Sequence, residues 1–411
     1  MERQAVYNET GRPEWTSYGH EWQIRRPAPP RRCQVMTEAA FVLGTRPEII
    51  KLAPVIDACD RRGVSTLVLH TGQHYSDSLD DVFFRQLDLD PPAVNLGVGS
   101  GTHGEQTGEM VIGIERHLLD TEPDVLFVQG DTNSTLAGAL AASKLDVEVA
   151  HIEAGLRSFD RDMPEERNRV IVDHTVEHLY PPTEESAGLL RGEGLSPDRI
   201  TVTGNTIVDA LRAYEEAAAA RSTVLSELDL RPGEFDLLTA HRAENVDDRD
   251  RFERILDGVA TAAARRDTDV VYPIHPRASE RLAEFDLAVP DRIRTVEPLA
   301  FFDFLRLEST ASLVFTDSGG VQEETCILGT PCVTLRDGTE RPETAFVGAN
   351  CVAGHQPDDI VAAAETMRSK EGGWRPPFGD GHAAEYILDD LGFEGPRSVR
   401  RRSERATSRG E

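Results

Sequence analysis

The sequence predicts an α/β protein made of two doubly wound, Rossmann-like domains facing a central cleft, and three observations carry that prediction. Short apolar runs recur along the chain and are continuous rather than alternating, as in strands buried on both faces of a parallel sheet. Helical patterns separate these runs, which supplies the crossovers a parallel sheet needs. With 411 residues the chain is also too long for one ordinary core, so two domains are expected.

In chain order the first group of strands is expected at 39–44, 66–71, 125–129, 147–152 and 200–203. The second is expected at 236–239, 270–274, 293–296, 312–316 and 332–335. The break falls after Gly204-Asn205, where a helical stretch, 207–228, runs to Arg231-Pro232-Gly233. The domains are accordingly placed at 36–206 and 207–380, with a helix at about 381–393 returning to the first. Residues 1–35 carry Pro, Arg, Trp and charge without periodicity. They read as a disordered extension or as the product of a misplaced start, with Met36 the true one. The Arg/Ser-rich stretch 394–411 reads as a disordered tail.

Composition narrows the function classes. The net charge is −28, and Lys51, Lys144 and Lys370 are the only lysines. An acidic, lysine-poor surface suits concentrated salt, where self-repulsion is screened within a few ångströms, so a salty cytoplasm is expected. No basic stripe is present, which argues against a nucleic-acid partner. The five cysteines include no CxxC pair, which argues against a disulfide framework or structural zinc and for a reducing compartment. No run reaches the roughly 18 apolar residues of a membrane span, and the first 35 residues lack the apolar core of a secretory signal. Neither a metal nor a redox cofactor is expected, since no GxGxxG fingerprint follows the first strand.

Ligands of doubly wound sheets bind at strand carboxyl ends, and chemistry-bearing residues collect there. The first strand ends in Gly44-Thr-Arg46-Pro-Glu, where a helix N-terminus and an Arg suit a phosphate. The third ends in Gln129-Gly-Asp131-Thr-Asn-Ser. Asp131 could project into the cleft or could cap the following helix. The stretch His151 to Arg169 puts Glu153 at a strand end, then a charged loop, then Pro164, Glu165 and Glu166 at a helix start. One of those two glutamates should serve the helix dipole and the other, Glu165, the cleft. Three carboxylates so placed suit proton transfer, because like charges at one site shift one another's pKa. In the second half His241-Arg242 follows a strand, and His275-Pro-Arg277 repeats the theme. Asp317-Ser318-Gly319-Gly320, opening a helix, exposes backbone N–H groups to an anion, with Glu324 one turn in and able to accept from two ribose hydroxyls.

Taken together the chain resembles the non-hydrolysing UDP-N-acetylglucosamine 2-epimerases, which share the two-domain architecture of GT-B glycosyltransferases. The resemblance spans 39–391. It rests on Gly-Thr-Arg-Pro-Glu (44–48), Thr-Gly-Gln-His (71–74), Gly-Asp-Thr (130–132), Glu-Ala-Gly-Leu-Arg (153–157) and Pro-Glu-Glu (164–166). It continues with Gly-Asn-Thr (204–206), His-Arg-Ala-Glu-Asn (241–245), Asp-Ser-Gly-Gly-Val-Gln-Glu-Glu (317–324), Thr-Glu-Arg-Pro-Glu (339–343) and Gly-Asp-Gly (379–381). The reaction it implies inverts C2 of the sugar: UDP is eliminated to a bound 2-acetamidoglucal and added back with protonation from the other face. By this resemblance Asp131, Glu153 and Glu165 are the acid/base carboxylates, and which of them removes the C2 proton stays open. Arg46, His241, Ser318 and Gly319 would hold the phosphates, with His241 stabilising the leaving group. Glu324 would bind ribose, Phe304 would flank the uracil, and Lys51 and Arg341 match further site positions. Gln73 and His74 match the region where bacterial relatives bind a second, activating substrate molecule. A cytoplasmic homodimer is the state the resemblance implies, and the acidic composition adds a halophilic archaeal source. A hydrolysing 2-epimerase and a GT-B glycosyltransferase are the alternatives.

Overall fold

The computed structural model describes residues 38–72, 84–368, 370 and 372–393. The expectations for 1–35, Met36, 394–411, Gln73 and His74 lie outside these residues. The first sheet contains β1 (Glu38–Leu43), β2 (Ser65–His70), β3 (Val94–Asn95), β4 (Val125–Gln129), β5 (Glu148–Ile152) and β6 (His178–Tyr180). Its strands are parallel, in the order β3-β2-β1-β4-β5-β6. The second sheet contains β7 (Phe235–Thr239), β8 (Asp269–Pro273), β9 (Ile293–Val296), β10 (Leu313–Thr316), β11 (Cys332–Thr334) and β12 (Asn350–Val352). It is also parallel, in the order β12-β11-β10-β7-β8-β9. Both orders are the doubly wound one, which reverses direction between β1 and β4 and again between β7 and β10.

The central strands are legible because each carries a short apolar run. Every residue of β4 and β10 is buried. Around the first sheet lie α1 (Arg46–Arg62), α2 (His103–Thr121), α3 (Asn133–Ala142), α4 (Pro164–Thr175) and α5 (Glu184–Gly192). Two helices, α6 (Thr206–Arg221) and α7 (Val224–Glu227), lead to the second sheet. That sheet is wrapped by α8 (Ala243–Val246), α9 (Arg249–Arg266), α10 (Pro276–Glu284), α11 (Phe301–Thr310), α12 (Gly319–Leu328), α13 (Pro342–Phe346) and α14 (Pro357–Arg368). The last helix, α15 (Ala383–Asp390), returns to the first sheet. Arg62 of α1 pairs with Glu385 and, at 2.8 Å, with Asp389, and the Tyr180 hydroxyl donates to Asp390 at 3.0 Å.

Two expectations need correction. Residues 200–203 form no strand, only a single bridge from Ile200 to Leu179. The partner strand β6 runs straight into Pro181-Pro182, which have no N–H to continue a ladder. The helix expected at 207–228 is two helices. Ser222 is extended, its hydroxyl donates to Asp303 at 2.6 Å, and the same oxygen accepts from Val224 N at 3.3 Å. Three short strands, β3, β6 and β12, were not anticipated; each has two or three residues.

One apolar cluster joins the two halves: Phe41, Ile49 and Phe127 of the first pack with Ile207 and Leu211 of α6, Leu305 of α11 and Cys326 of α12. Burying side chains of this size contributes about 1.5–3 kcal/mol each before chain entropy is subtracted. Between the halves, Asn205 N donates to the Phe378 carbonyl at 2.8 Å. Gly204 and Gly379 cross so closely that a Cβ on Gly204 would lie 2.9 Å from the Phe378 oxygen. The loop after β5 is as tight. Gly155 has φ +78°, and a Cβ there would fall 2.5 Å from the Ser186 carbonyl oxygen. We therefore expect Gly155→Ala to lower stability by about 3 kcal/mol. A urea unfolding curve superimposable on that of the parent chain would contradict this.

Candidate active site

The two reversal points of strand order are where the sequence motifs end up. At the first, Glu48 ties the turn after β1 to the turn after β4. It accepts from Gly44 N and Thr45 Oγ1, both at 2.9 Å, and from Thr132 Oγ1 at 2.6 Å and Thr135 Oγ1 at 3.2 Å. Burial pushes its carboxyl upward against these donors. Arg46 is exposed at the start of α1, where helix N–H groups and its own charge favour an anion. Thr132, not Asp131, caps α3, accepting from Thr135 N at 3.2 Å. Asp131 is left to pair with Arg169 Nη1 at 2.6 Å. Burial raises the Asp131 carboxyl, Arg169 opposes this, and the charges of Glu153 and Glu165 add to the rise.

Glu153 follows β5 with φ +72°, a region that costs an L-residue about 1 kcal/mol or more. Its buried carboxylate accepts from Lys51 Nζ at 2.5 Å, from Asn205 Nδ2 at 2.9 Å and from Gln129 Nε2. Burial alone would push it up, but Lys51 and Arg341 outweigh that and hold it below the usual carboxylate range. Glu165 is half-buried in the first turn of α4. Its neighbour Glu166 takes the structural role. It accepts from Ser158 N at 2.9 Å and Phe159 N at 3.1 Å and pairs with Arg169, which itself holds Asp131.

Beneath these groups lies a buried cluster. Asp173 faces His151 Nδ1 and Arg157 Nη1, each at 2.7 Å, and accepts from Gly155 N at 3.1 Å. His151 Nε2 lies 2.8 Å from the Gly130 carbonyl, so one cluster fixes the turns that carry Asp131 and Glu153. Burial raises the Asp173 carboxyl, yet His151 and Arg157 bring it below its ordinary value. A depressed pKa contributes stability that is present above the unfolded value, about 3.9, and is lost as pH falls through the folded one. The difference in unfolding midpoint between the parent and Asp173→Asn is thus expected to be largest near neutrality and to shrink in acid. A difference constant with pH would refute it.

At the second reversal point Asp317 organises the loop after β7. Its Oδ2 accepts from His241 N and Arg242 N, both at 2.9 Å, and from Asn245 Nδ2 at 3.2 Å. Its Oδ1 lies 3.1 Å from His241 Nδ1. Asp317 is buried but held below its usual range, chiefly by His241, so it accepts only and His241 Nδ1 carries the proton. The His241 ring is 40% exposed, which leaves Nε2 available to a ligand. His275 lies beside it with its ring tilted by 36°, ring centroids 5.6 Å apart, and its Nδ1 accepts from Arg277 N. Ser318 precedes α12, and a Cβ on Gly320 would lie 3.8 Å from Ser318 Oγ and 3.9 Å from Glu324 Oε1. The loop, the helix start and Glu324 therefore share one open end, with Gly319 giving the backbone access. Phe304 is half-buried on α11 against Phe235, Leu237 and Val321.

The two reversal points meet through ions. Lys51 reaches Glu323 of α12 at 3.8 Å, and Arg341 Nε lies 2.7 Å from Glu323 Oε1. Asp131, Glu153, Glu165, Lys51 and Arg341 thus form one electrostatic group, and His241, Ser318, Gly319, Glu324 and Phe304 belong to the facing loops and helices. Several contributors carry no role in the sequence reading: Gln129, Asn205, Glu323, Asp317 and Arg169. Gln129, Asn205, Glu323 and Asp317 sit inside conspicuous motifs, and Arg169 closes the charged stretch that begins at His151, which is the available signal. Among the described residues no group of three or more His, Cys, Asp or Glu side chains is disposed to hold a metal ion, and no helix is long and apolar enough to cross a membrane.

Comparison with known proteins gives the same family. The family described as UDP-N-acetylglucosamine 2-epimerase matches residues 57–392. The UDP-N-acetylglucosamine 2-epimerase of Methanocaldococcus jannaschii is 48% identical over 360 residues, 86% of this chain and 98% of that protein. A crystal structure of the M. jannaschii UDP-GlcNAc 2-epimerase in complex with UDP-GlcNAc and UDP superposes with a TM-score of 0.77, covering 86% of this chain and 99% of that one. The UDP-2,3-diacetamido-2,3-dideoxy-D-glucuronate 2-epimerase of Pseudomonas aeruginosa is 38% identical over 80% of this chain and 92% of its own length. With its doubly wound halves and its strand-end motifs, this chain belongs to the UDP-N-acetylglucosamine 2-epimerase family.

Proposed function

We propose that the protein is a non-hydrolysing UDP-N-acetylglucosamine 2-epimerase, interconverting UDP-N-acetylglucosamine and UDP-N-acetylmannosamine by elimination and re-addition of UDP. The observation that carries this is the apposition of two chemically different strand-end clusters. One holds three carboxylates with Lys51 and Arg341, and the other holds a Ser-Gly-Gly helix start with His241 and Glu324. The first suits the sugar and the second a nucleoside diphosphate, with 207–380 as the UDP-binding half and Arg46 reaching the phosphates from the other side.

The residue chemistry divides the labour. Glu153, held ionised by Lys51 and Arg341, is a fixed negative charge suited to the oxocarbenium-like state formed as the C1–O bond breaks. Asp131, raised by burial and by its acidic neighbours, is suited to exchange a proton with C2, and Glu165 is placed to serve the opposite face. His241, oriented by Asp317, would present its exposed Nε2 to the departing diphosphate. The P. aeruginosa relative keeps a diacetamido uronate in view as the sugar. The extreme acidity supports work in a salt-rich cytoplasm.

The test is incubation with UDP-N-acetylglucosamine in heavy water. We expect deuterium at C2 of the recovered UDP-sugars and a mixture of the two epimers. Free N-acetylmannosamine accumulating in step with UDP would replace this reading by hydrolysis, and turnover without C2 label would replace it by sugar transfer.

A further inference from the structure

Where strand order reverses in a doubly wound sheet, the chain leaves the two neighbouring strands toward opposite faces and a crevice opens between them. The first reversal point shows this in its pairing. β1 and β4 are in register from Ala39–Val125 to Phe41–Phe127. Beyond Phe41 and Phe127 each strand bonds outward instead. The Leu43 carbonyl accepts from Thr71 N at 2.8 Å on the β2 side, and the Ile152 carbonyl of β5 accepts from Gly130 N at 3.1 Å on the other. The turns that carry Arg46 and Asp131 therefore lie past the last paired residues of their strands.

One buried side chain spans the gap. Glu48, 1% exposed in the first turn of α1, turns one oxygen to each side. Its Oε2 accepts from Gly44 N and Thr45 Oγ1, both at 2.9 Å, and Arg46 is the next residue along. Its Oε1 accepts from Thr132 Oγ1 at 2.6 Å, and Thr132 directly follows Asp131. Thr45 stands at the N-cap of α1, yet its hydroxyl goes to Glu48 and does not cap the helix. Thr132 does cap α3, so its proton serves Glu48 while its lone pair serves Thr135 N. The Thr135 hydroxyl, 3.2 Å from the same Oε1, also reaches the Gln129 carbonyl at 2.7 Å. All four partners of the carboxyl are uncharged groups. What the position requires is reach, not charge.

We propose that Glu48 is a positioning residue whose side-chain length sets the spacing between the Arg46 turn and the Asp131 turn, and so holds the diphosphate on C1 and the proton on C2 in register for elimination. The inference rests on the proposed epimerase reading, with Arg46 at the phosphates and Asp131 at C2. In that step the C2–H bond breaks and its proton passes to the carboxylate. Its electron pair forms the C1–C2 double bond, and the C1–O pair leaves with UDP. The two breaking bonds are on adjacent carbons, so the groups that serve them need one fixed separation, in elimination and again in re-addition. A displacement of about 1 Å between such groups lowers a rate by about a hundredfold.

The experiment measures C2 deuterium exchange, UDP affinity and release of free 2-acetamidoglucal for the parent, Glu48→Asp, Glu48→Ala and Glu48→Gln. Glu48→Asp keeps the charge but is one methylene shorter and cannot hold both turns at once. Its exchange, like that of Glu48→Ala, is expected to fall about a hundredfold, with UDP affinity within about threefold of the parent. The share of turnovers ending in free glucal and UDP is expected to rise about tenfold, because re-addition fails when the two turns part. Partial unfolding lowers all products together and leaves that share unchanged. Glu48→Gln should rescue exchange to within about threefold of the parent. Its oxygen serves Gly44 and Thr45, and its amide donates to the Thr132 and Thr135 hydroxyls, which can accept. Thr132→Val cuts the tie on the Asp131 side alone and should raise the glucal share as well, so the inference is tested even where Glu48→Asp does not fold. Parental exchange in Glu48→Asp with a loss in Glu48→Gln would assign the role to charge and overturn the inference. An unchanged glucal share in Glu48→Asp, Glu48→Ala and Thr132→Val would overturn it too. In both cases C2 exchange by the parent leaves the epimerase reading standing, whereas a parent that exchanges no deuterium at C2 overturns both.

Discussion

Glu153→Gln should bring C2 deuterium exchange down by about three orders of magnitude while UDP still binds. The geometry makes this substitution unusually damaging for so small a change. All three partners of the carboxylate, Lys51, Gln129 and Asn205, are donors, and a glutamine must turn an N–H toward at least one of them. The charge that offsets Lys51 is lost as well, and a buried ion left without its partner costs about 3–5 kcal/mol. The variant should therefore be less stable in addition to being inactive. Comparing exchange rate with UDP affinity separates the two effects, because most of the residues proposed to hold the nucleotide lie on the facing sheet. Exchange at the parental rate would remove Glu153 from the chemistry.

The second large effect is expected at Asp317, through His241. Asp317→Asn can keep an oxygen for the His241 and Arg242 backbone N–H groups, but it turns an amide N–H toward His241 Nδ1. The ring then loses the carboxylate oxygen that orients it. Losing one oriented contact to a departing oxyanion costs about a hundredfold or more in kcat, with about 2.7 kcal/mol as the corresponding barrier change. His241→Asn should have a similar effect, and the double variant should be no worse than the more impaired single one, because the two residues act as a unit. Additive losses would show that Asp317 acts on something other than the imidazole.

Much of the fold is legible in the sequence because a strand buried on both faces carries a near-continuous apolar run. β1, β4, β5, β7, β8 and β10 announce themselves in that way. The edge strands do not. β3, β6 and β12 gain two or three residues of pairing from a neighbour already in place, and their own sequences (Val94-Asn95, His178-Leu-Tyr180, Asn350-Cys-Val352) carry no periodicity. The site divides along a similar line. The strand-end residues sit in glycine-rich motifs, which is why Asp131, Glu153, His241 and Ser318 can be read directly. Residues that act on those residues depend on contacts between distant segments. Lys51 meeting Glu323 exists only once two helices have packed.

The ion chain between the sheets has a property that its distances make plain. Lys51 lies 2.5 Å from Glu153 on its own side, Arg341 lies 2.7 Å from Glu323 on the other, and the link between them is the 3.8 Å approach of Lys51 to Glu323. Each side is thus a neutral couple in itself. Parting the sheets about the Gly204–Gly379 crossing would leave neither couple without its counter-charge and would break only the longest of the three contacts. Under the proposed function, a cleft that admits a dianionic diphosphate and releases it again can swing without exposing a naked charge at its centre.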